Sequence, residues 1–132
     1  MLAPLPVGKT SQQLNSYTYV SAAYDILSLG NETLGVGFLE SAIKQWPDYW
    51  LPYFLIGNHY IETSPSDSVH WFSLGYDVGR YEAAYANNYS VALLKNQQFT
   101  KASKIIDDAI LQFGQLSMLT ATKVQIETAK LN

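Results

Sequence analysis

The chain is 132 residues long, with a formal charge of −3, 14% charged residues and no cysteine. That length buries a core without staples, and the missing cysteine excludes thiol catalysis, thiolate zinc sites and a disulfide framework. The low, slightly acidic charge argues against nucleic acid, which needs a basic stripe to displace counterions from phosphates.

The chain order opens with Met1-Leu2-Ala3-Pro4-Leu5-Pro6-Val7-Gly8-Lys9, which has neither a basic n-region nor a sustained apolar core. Residues 1–10 are expected to be a linker or the tail of an upstream domain. Thr10-Ser11-Gln12-Gln13 has the form of a capping box, so a helix is predicted over 11–29. Gly30 ends it, and Asn31 caps a second helix whose apolar face is predicted to hold Leu34, Phe38, Leu39, Ala42 and Ile43. Trp46-Pro47-Asp48 stops that helix.

A third helix opens after Asp48, tolerates Pro52 in its first turn and runs to about Glu62. A fourth is predicted over 65–78, carrying Val69, Trp71, Phe72 and Tyr76. Two strongly periodic helices follow over 81–97 and 99–113, and a last one over 116–131. Met118, Leu119, Val124 and the alkyl part of Lys123 are expected to cover the open end of the stack. The total is seven helices and no strand.

A repeat runs through these elements. Tyr53-Phe54-Leu55-Ile56-Gly57-Asn58-His59-Tyr60 reads as aromatic-x2-aliphatic-Gly-x2-Tyr, with weaker copies opening at Tyr19 and Ala86. The second half of each unit reads small-x3-large, as Gly35-x3-Leu39 with Ala42 and Ala102-x3-Ile106 with Ala109. Small residues are needed where two helix backbones approach closely, so Ala23, Gly57 and Ser90 are expected at one contact and Gly35 and Ala102 at the other. Tyr19, Tyr53, Tyr60, Leu39, Ile106 and Phe113 are suited to fill the holes, as core. The Gly35-x-Gly37 pair is expected inside a helix for close packing and not as a phosphate loop.

This pattern resembles the tetratricopeptide repeat (TPR), W-x2-L-G-x2-Y followed by A-x3-F, A and P, over roughly residues 16–114. The resemblance implies an all-α, right-handed α-solenoid of about three TPR-like helical hairpins plus a C-terminal capping helix. Residues 11–132 would be a single domain, with repeats at about 16–49, 50–82 and 83–115 and the capping helix at 116–131. In that family the first helix of each pair lines a concave groove. Carried onto this sequence, the groove residues are Tyr17, Val20, Tyr24 and Leu27, then Phe54, Asn58, Ile61 and Glu62, then Asn87, Val91, Leu94 and Lys95. Members that grip C-terminal carboxylates place Lys, Asn and Arg at positions that here hold Val20, Tyr24, Ala84 and Asn88. A tyrosine- and asparagine-lined groove is implied in place of a carboxylate clamp.

The expected function is a protein or peptide interaction module. The alternative is a structural or positioning domain of a larger protein with no ligand of its own. The runs Trp46-Pro47-Asp48, Ile56-Gly57-Asn58, Asn87-Asn88 and Phe113-Gly114 are also similar to the C-terminal TPR domain of bacterial bacteriocin-processing-type cysteine peptidase proteins. That would place catalysis in a domain before Met1 and the chain in the periplasm or exported; without it, a cytoplasmic place is equally open.

No enzyme, cofactor or metal is expected, because His59 and His70 lack paired carboxylates and nothing pairs a nucleophile with a base. The partner is expected to be protein or peptide, without nucleic acid or membrane insertion, self-association through the groove or the solenoid ends being an open alternative. The sequons Asn31-Glu32-Thr33 and Asn88-Tyr89-Ser90 are of a kind common by chance. Lys95, Lys101 and Lys104 beside Asp107 and Asp108 read as a solvated face.

Overall fold

The computed structural model describes residues 11–132, all helix and connection with no strand among them. The expected linker over 1–10 lies outside the described residues, as do the side chains of the capping box. The chain divides into two compact units, the first reaching to Pro52 and the second running from Tyr53 to Asn132.

The first unit is a helical hairpin of α1 (Ser11–Ser28) and α2 (Glu32–Gln45). Its turn satisfies the last carbonyls of α1 with two crossed bonds, Gly30 N to Leu27 O and Asn31 N to Ile26 O. That closure requires a left-handed residue, supplied by Gly30 at φ 96°. Asn31 then caps α2, its Oδ1 accepting from Leu34 N at 3.2 Å. The helices approach at Gly35, where a Cβ would lie 2.8 Å from the Leu27 backbone. Gly37 meets nothing, so close packing accounts for the first glycine of that pair and not for the second.

The buried face of α2 is Gly35, Val36, Leu39 and Ala42, while Leu34 and Phe38 stay exposed. The expected apolar face is thus rotated, because the close contact at Gly35 fixes which side turns inward. Phe38 and Trp46 instead pack edge-on against Tyr19, with centroids 6.1 and 5.6 Å away.

The second unit takes in α3 (Trp50–Tyr60) from Tyr53 onward, then α4 (Pro65–Leu74), α5 (Tyr76–Gly79), α6 (Ala83–Lys95), α7 (Phe99–Phe113) and α8 (Ser117–Lys130). The helix expected over 65–78 is two, broken at Gly75, which makes eight helices among the described residues. The break lies beside two buried tyrosines. A Cβ on Gly75 would lie 2.3 Å from the Tyr53 ring, and one on Gly79 2.4 Å from the Tyr85 ring, so only glycine fits at either place. Tyr85 is fully buried and donates its hydroxyl to the Phe72 carbonyl at 2.6 Å.

At Gly57 the α3 backbone meets the face of Phe72, where a Cβ would be 2.6 Å from the ring. The buried Ser68 hydroxyl donates to the Gly57 carbonyl at 2.7 Å. Ser68-x3-Phe72-x2-Gly75 therefore repeats the buried pattern of Gly35-x3-Leu39-x2-Ala42 and Ala102-x3-Ile106-x2-Ala109. The same spacing read one residue further along, at Val69, Ser73 and Tyr76, falls on residues that are not buried. Of the hole fillers, Leu39, Tyr53 and Ile106 are buried, and Tyr19, Tyr60 and Phe113 are half-buried.

α6 and α7 form the last hairpin around Ala86, Tyr89, Ser90, Leu93, Ala102, Ile105, Ile106 and Ala109. Their turn uses the same crossed bonds as Gly30, with Gln97 at φ 62° in the left-handed place. α8 covers it with Leu119, Thr122 and Ile126. Met118 and Val124, expected in that cover, are 39% and 61% exposed.

Candidate functional site

The twelve groove residues expected from sequence fall into different environments. In the first unit Tyr17 and Tyr24 are exposed, while Val20 and Leu27 are buried and have no face to offer a ligand. The reason is the register of α1. Ser16, Val20, Ala23 and Leu27, spaced i, i+4, i+7 and i+11, form its buried stripe, which takes Val20 and Leu27 out of the expected set and leaves Tyr17 and Tyr24 outside it.

In the second unit Phe54 is half-buried in an aromatic cluster, its ring 6.3 Å from that of Phe72 and 6.1 Å from that of Tyr85. Ile61, Val91 and Leu94 are half-buried, and Glu62 and Lys95 are exposed. Asn58 and Asn87 come together in a row with two residues absent from the expected set, Asn88 and Thr122.

The row is continuous. Thr122 Oγ1 on α8 donates to Asn87 Oδ1 at 2.7 Å, Asn87 Nδ2 on α6 donates to Asn88 Oδ1 at 3.2 Å, and Asn88 Nδ2 donates to Asn58 Oδ1 on α3 at 2.9 Å. Close to it in register, four residues beyond Asn58 and seven beyond Asn88, Lys95 Nζ pairs with Glu62 Oε2 at 3.2 Å. The Asn58–Asn88 bond joins α3 to α6, Glu62 follows just after the end of α3, and the partners advance together along the chain, so the two helices run parallel. Asn87 and Thr122 are 35 residues apart, close to one repeat, so α8 stands beside α6 much as α6 stands beside α3.

The other lysines near these helices are engaged as well. Lys104 pairs with Asp108 at 3.1 Å and Lys123 with Asp107 at 2.9 Å, which holds the Lys123 ammonium above its usual pKa. Lys101 lies 5.9 Å from the centroid of the Tyr89 ring. Exposed pairs of this kind contribute little stability. No group of three or more His, Cys, Asp or Glu side chains among the described residues could hold a metal ion. His59 packs edge-on to Tyr60 and His70 to Trp71. No helix among the described residues is long and apolar enough to cross a membrane.

The sequence repeat leads to Asn58 and Asn87 directly. Asn88 is visible in sequence as the second half of an Asn-Asn pair on α6. Thr122 carries a weaker signal, lying one repeat beyond Asn87 in a helix expected only to cover the stack.

No family model matches the chain, and no curated protein matches it. Among solved structures, the first TPR of Spaghetti (RPAP3) bound to the HSP90 peptide SRMEEVD superposes with a TM-score of 0.77. That match covers 96% of this chain and 100% of the other, at 11% sequence identity. The chain therefore has the TPR-like helical repeat fold.

Proposed function

We propose that this chain is a protein or peptide interaction module, and that its second unit docks an extended segment of a partner along the asparagine row. The observation that carries this reading is the row itself. Three half-buried amides from α3 and α6 lie side by side, held from α8, and an amide can donate to a ligand carbonyl or accept from a ligand N–H. Half-burial favours such contacts by partly excluding water. The solved structure with this fold holds a peptide, which supports the same use of the fold here. No chemistry beyond binding is part of the proposal.

Affinity is expected to be modest, near micromolar or about −8 kcal/mol, because ordering a flexible peptide opposes the contacts it makes. The test is an array of extended heptapeptides probed with the native chain and with an Asn58→Ala, Asn88→Ala double variant of equal melting temperature. Selected peptides should bind the variant about tenfold or more weakly, the effect of losing one or two hydrogen bonds. Equal binding by both, or no binding by either, would favour the alternative of a positioning domain in a larger protein. The likeness to repeat domains of cysteine peptidase proteins rests on sequence runs alone.

A further inference from the structure

The hydrogen bonds of the row share one direction. Thr122 Oγ1 meets an oxygen, Asn87 Oδ1, so the hydroxyl is the donor and the Asn87 amide presents Nδ2 to its neighbour. Asn88 repeats the arrangement, accepting on Oδ1 from Asn87 and donating from Nδ2 to Asn58. Each amide oxygen in the series is already engaged. Asn58 ends it with Oδ1 occupied and Nδ2 without a partner among the described residues. No side-chain nitrogen or oxygen among those residues is buried without a hydrogen bond, so this Nδ2 is open to solvent.

We propose that Asn58 is the ligand-facing end of a polarised hydrogen-bond chain, and that it offers its amide N–H groups to a carbonyl oxygen of an uncharged, extended peptide. This rests on the peptide-docking reading above and specifies its ligand. Thr122 is a positioning residue: its hydroxyl, able to donate or accept, here donates to Asn87 Oδ1 and so leaves Asn87 Nδ2 for Asn88. Without that hydroxyl Asn87 Oδ1 loses its partner, and the series is free to turn over and present the Asn58 oxygen.

The lack of charge follows from the neighbours. The cation nearest in register, Lys95, is neutralised by Glu62, whose side chain is 76% exposed. An acidic peptide meets Glu62 and a basic one meets Lys95, so neither sign gains a free counter-charge. An uncharged backbone carbonyl needs none.

The discriminating variant is Asn58→Asp. Its carboxylate still accepts from Asn88 Nδ2 but has no N–H to offer, so the internal bond survives while the outward donors vanish. The probe is a library of uncharged heptapeptides, N-acetylated and C-amidated, read by fluorescence polarisation at low and high salt. The native chain should select members whose affinity is insensitive to salt, and Asn58→Asp should bind them about tenfold or more weakly, the effect of one or two hydrogen bonds. Thr122→Val should weaken them in the same sense, and Thr122→Ser should restore them.

If the native chain selects peptides that Asn58→Asp binds equally well, or if it binds SRMEEVD with a free C-terminus better than the uncharged set, the donor assignment is overturned while peptide docking stands. If the native chain binds neither set, docking itself fails. Should Asn58→Asp fold poorly, the Thr122→Val and Thr122→Ser pair decides alone: loss in both, or in neither, contradicts the polarised chain.

Discussion

At Gly57 a single missing side chain sets the distance between two helices. The Phe72 ring lies where a Cβ would be, and the buried Ser68 hydroxyl engages the carbonyl of the same glycine. Gly57→Leu is therefore expected to overpack the contact and cost about 1–3 kcal/mol. Chemical denaturation should show a lower midpoint with an unchanged slope. Tyr85 works by the opposite means, filling space and satisfying the Phe72 carbonyl. Burial, first, and the neighbouring Tyr89 and Tyr53 push its pKa well above the ordinary 10.0. The unfolded chain releases this proton more readily than the folded one. The stabilisation is thus fully present below the ordinary value and is lost as pH rises above it. Stability should fall above about pH 10, and less steeply in Tyr85→Phe, which otherwise costs about 1–3 kcal/mol by leaving a buried carbonyl unpaired. Melting curves across alkaline pH check both.

Elements are legible where spacing and local chemistry agree. α7, predicted over 99–113, spans Phe99–Phe113, because its apolar residues keep one helical period without interruption. α4 is harder. Its repeat pattern is carried by Ser68 and Gly75, whose small size, and not their polarity, matters at the contact, so Val69 and Tyr76 look like better matches to an apolar template. At Gly75 the Tyr53 ring and the Tyr85 hydroxyl, remote in sequence, take the place of a side chain, which no local propensity reveals. α8 teaches the same lesson. Its buried stripe is Leu119, Thr122 and Ile126, and the threonine is inward because it serves the asparagine row. Truncation after Gln115 removes that stripe and exposes the apolar face of the α6–α7 hairpin, as for any helical stack left uncapped. The shortened chain should aggregate in size-exclusion chromatography, and Ile126→Ala alone should cost about 2–5 kcal/mol. A soluble, cooperatively melting truncation would show that α8 is dispensable.

Within the second unit the sequence period of the whole chain reappears as geometry. Asn58 to Asn88, Glu62 to Lys95 and Asn87 to Thr122 are links between residues 30, 33 and 35 apart, close to the spacing of Tyr19, Tyr53 and Ala86. The fold class can be read from that period because each repeat must bury the same small-x3-large face. The candidate site can be read only in part, since Asn58 and Asn87 gain their meaning from Asn88 and Thr122. The most direct measurement is a two-dimensional nitrogen–proton spectrum of the asparagine side-chain amides, followed while a selected uncharged, end-blocked heptapeptide is added. The Asn58 NH2 pair should show the largest side-chain shift, with Asn88 and Asn87 following through the shared bonds. A peptide that saturates the protein and leaves all three amides unmoved would contradict the account.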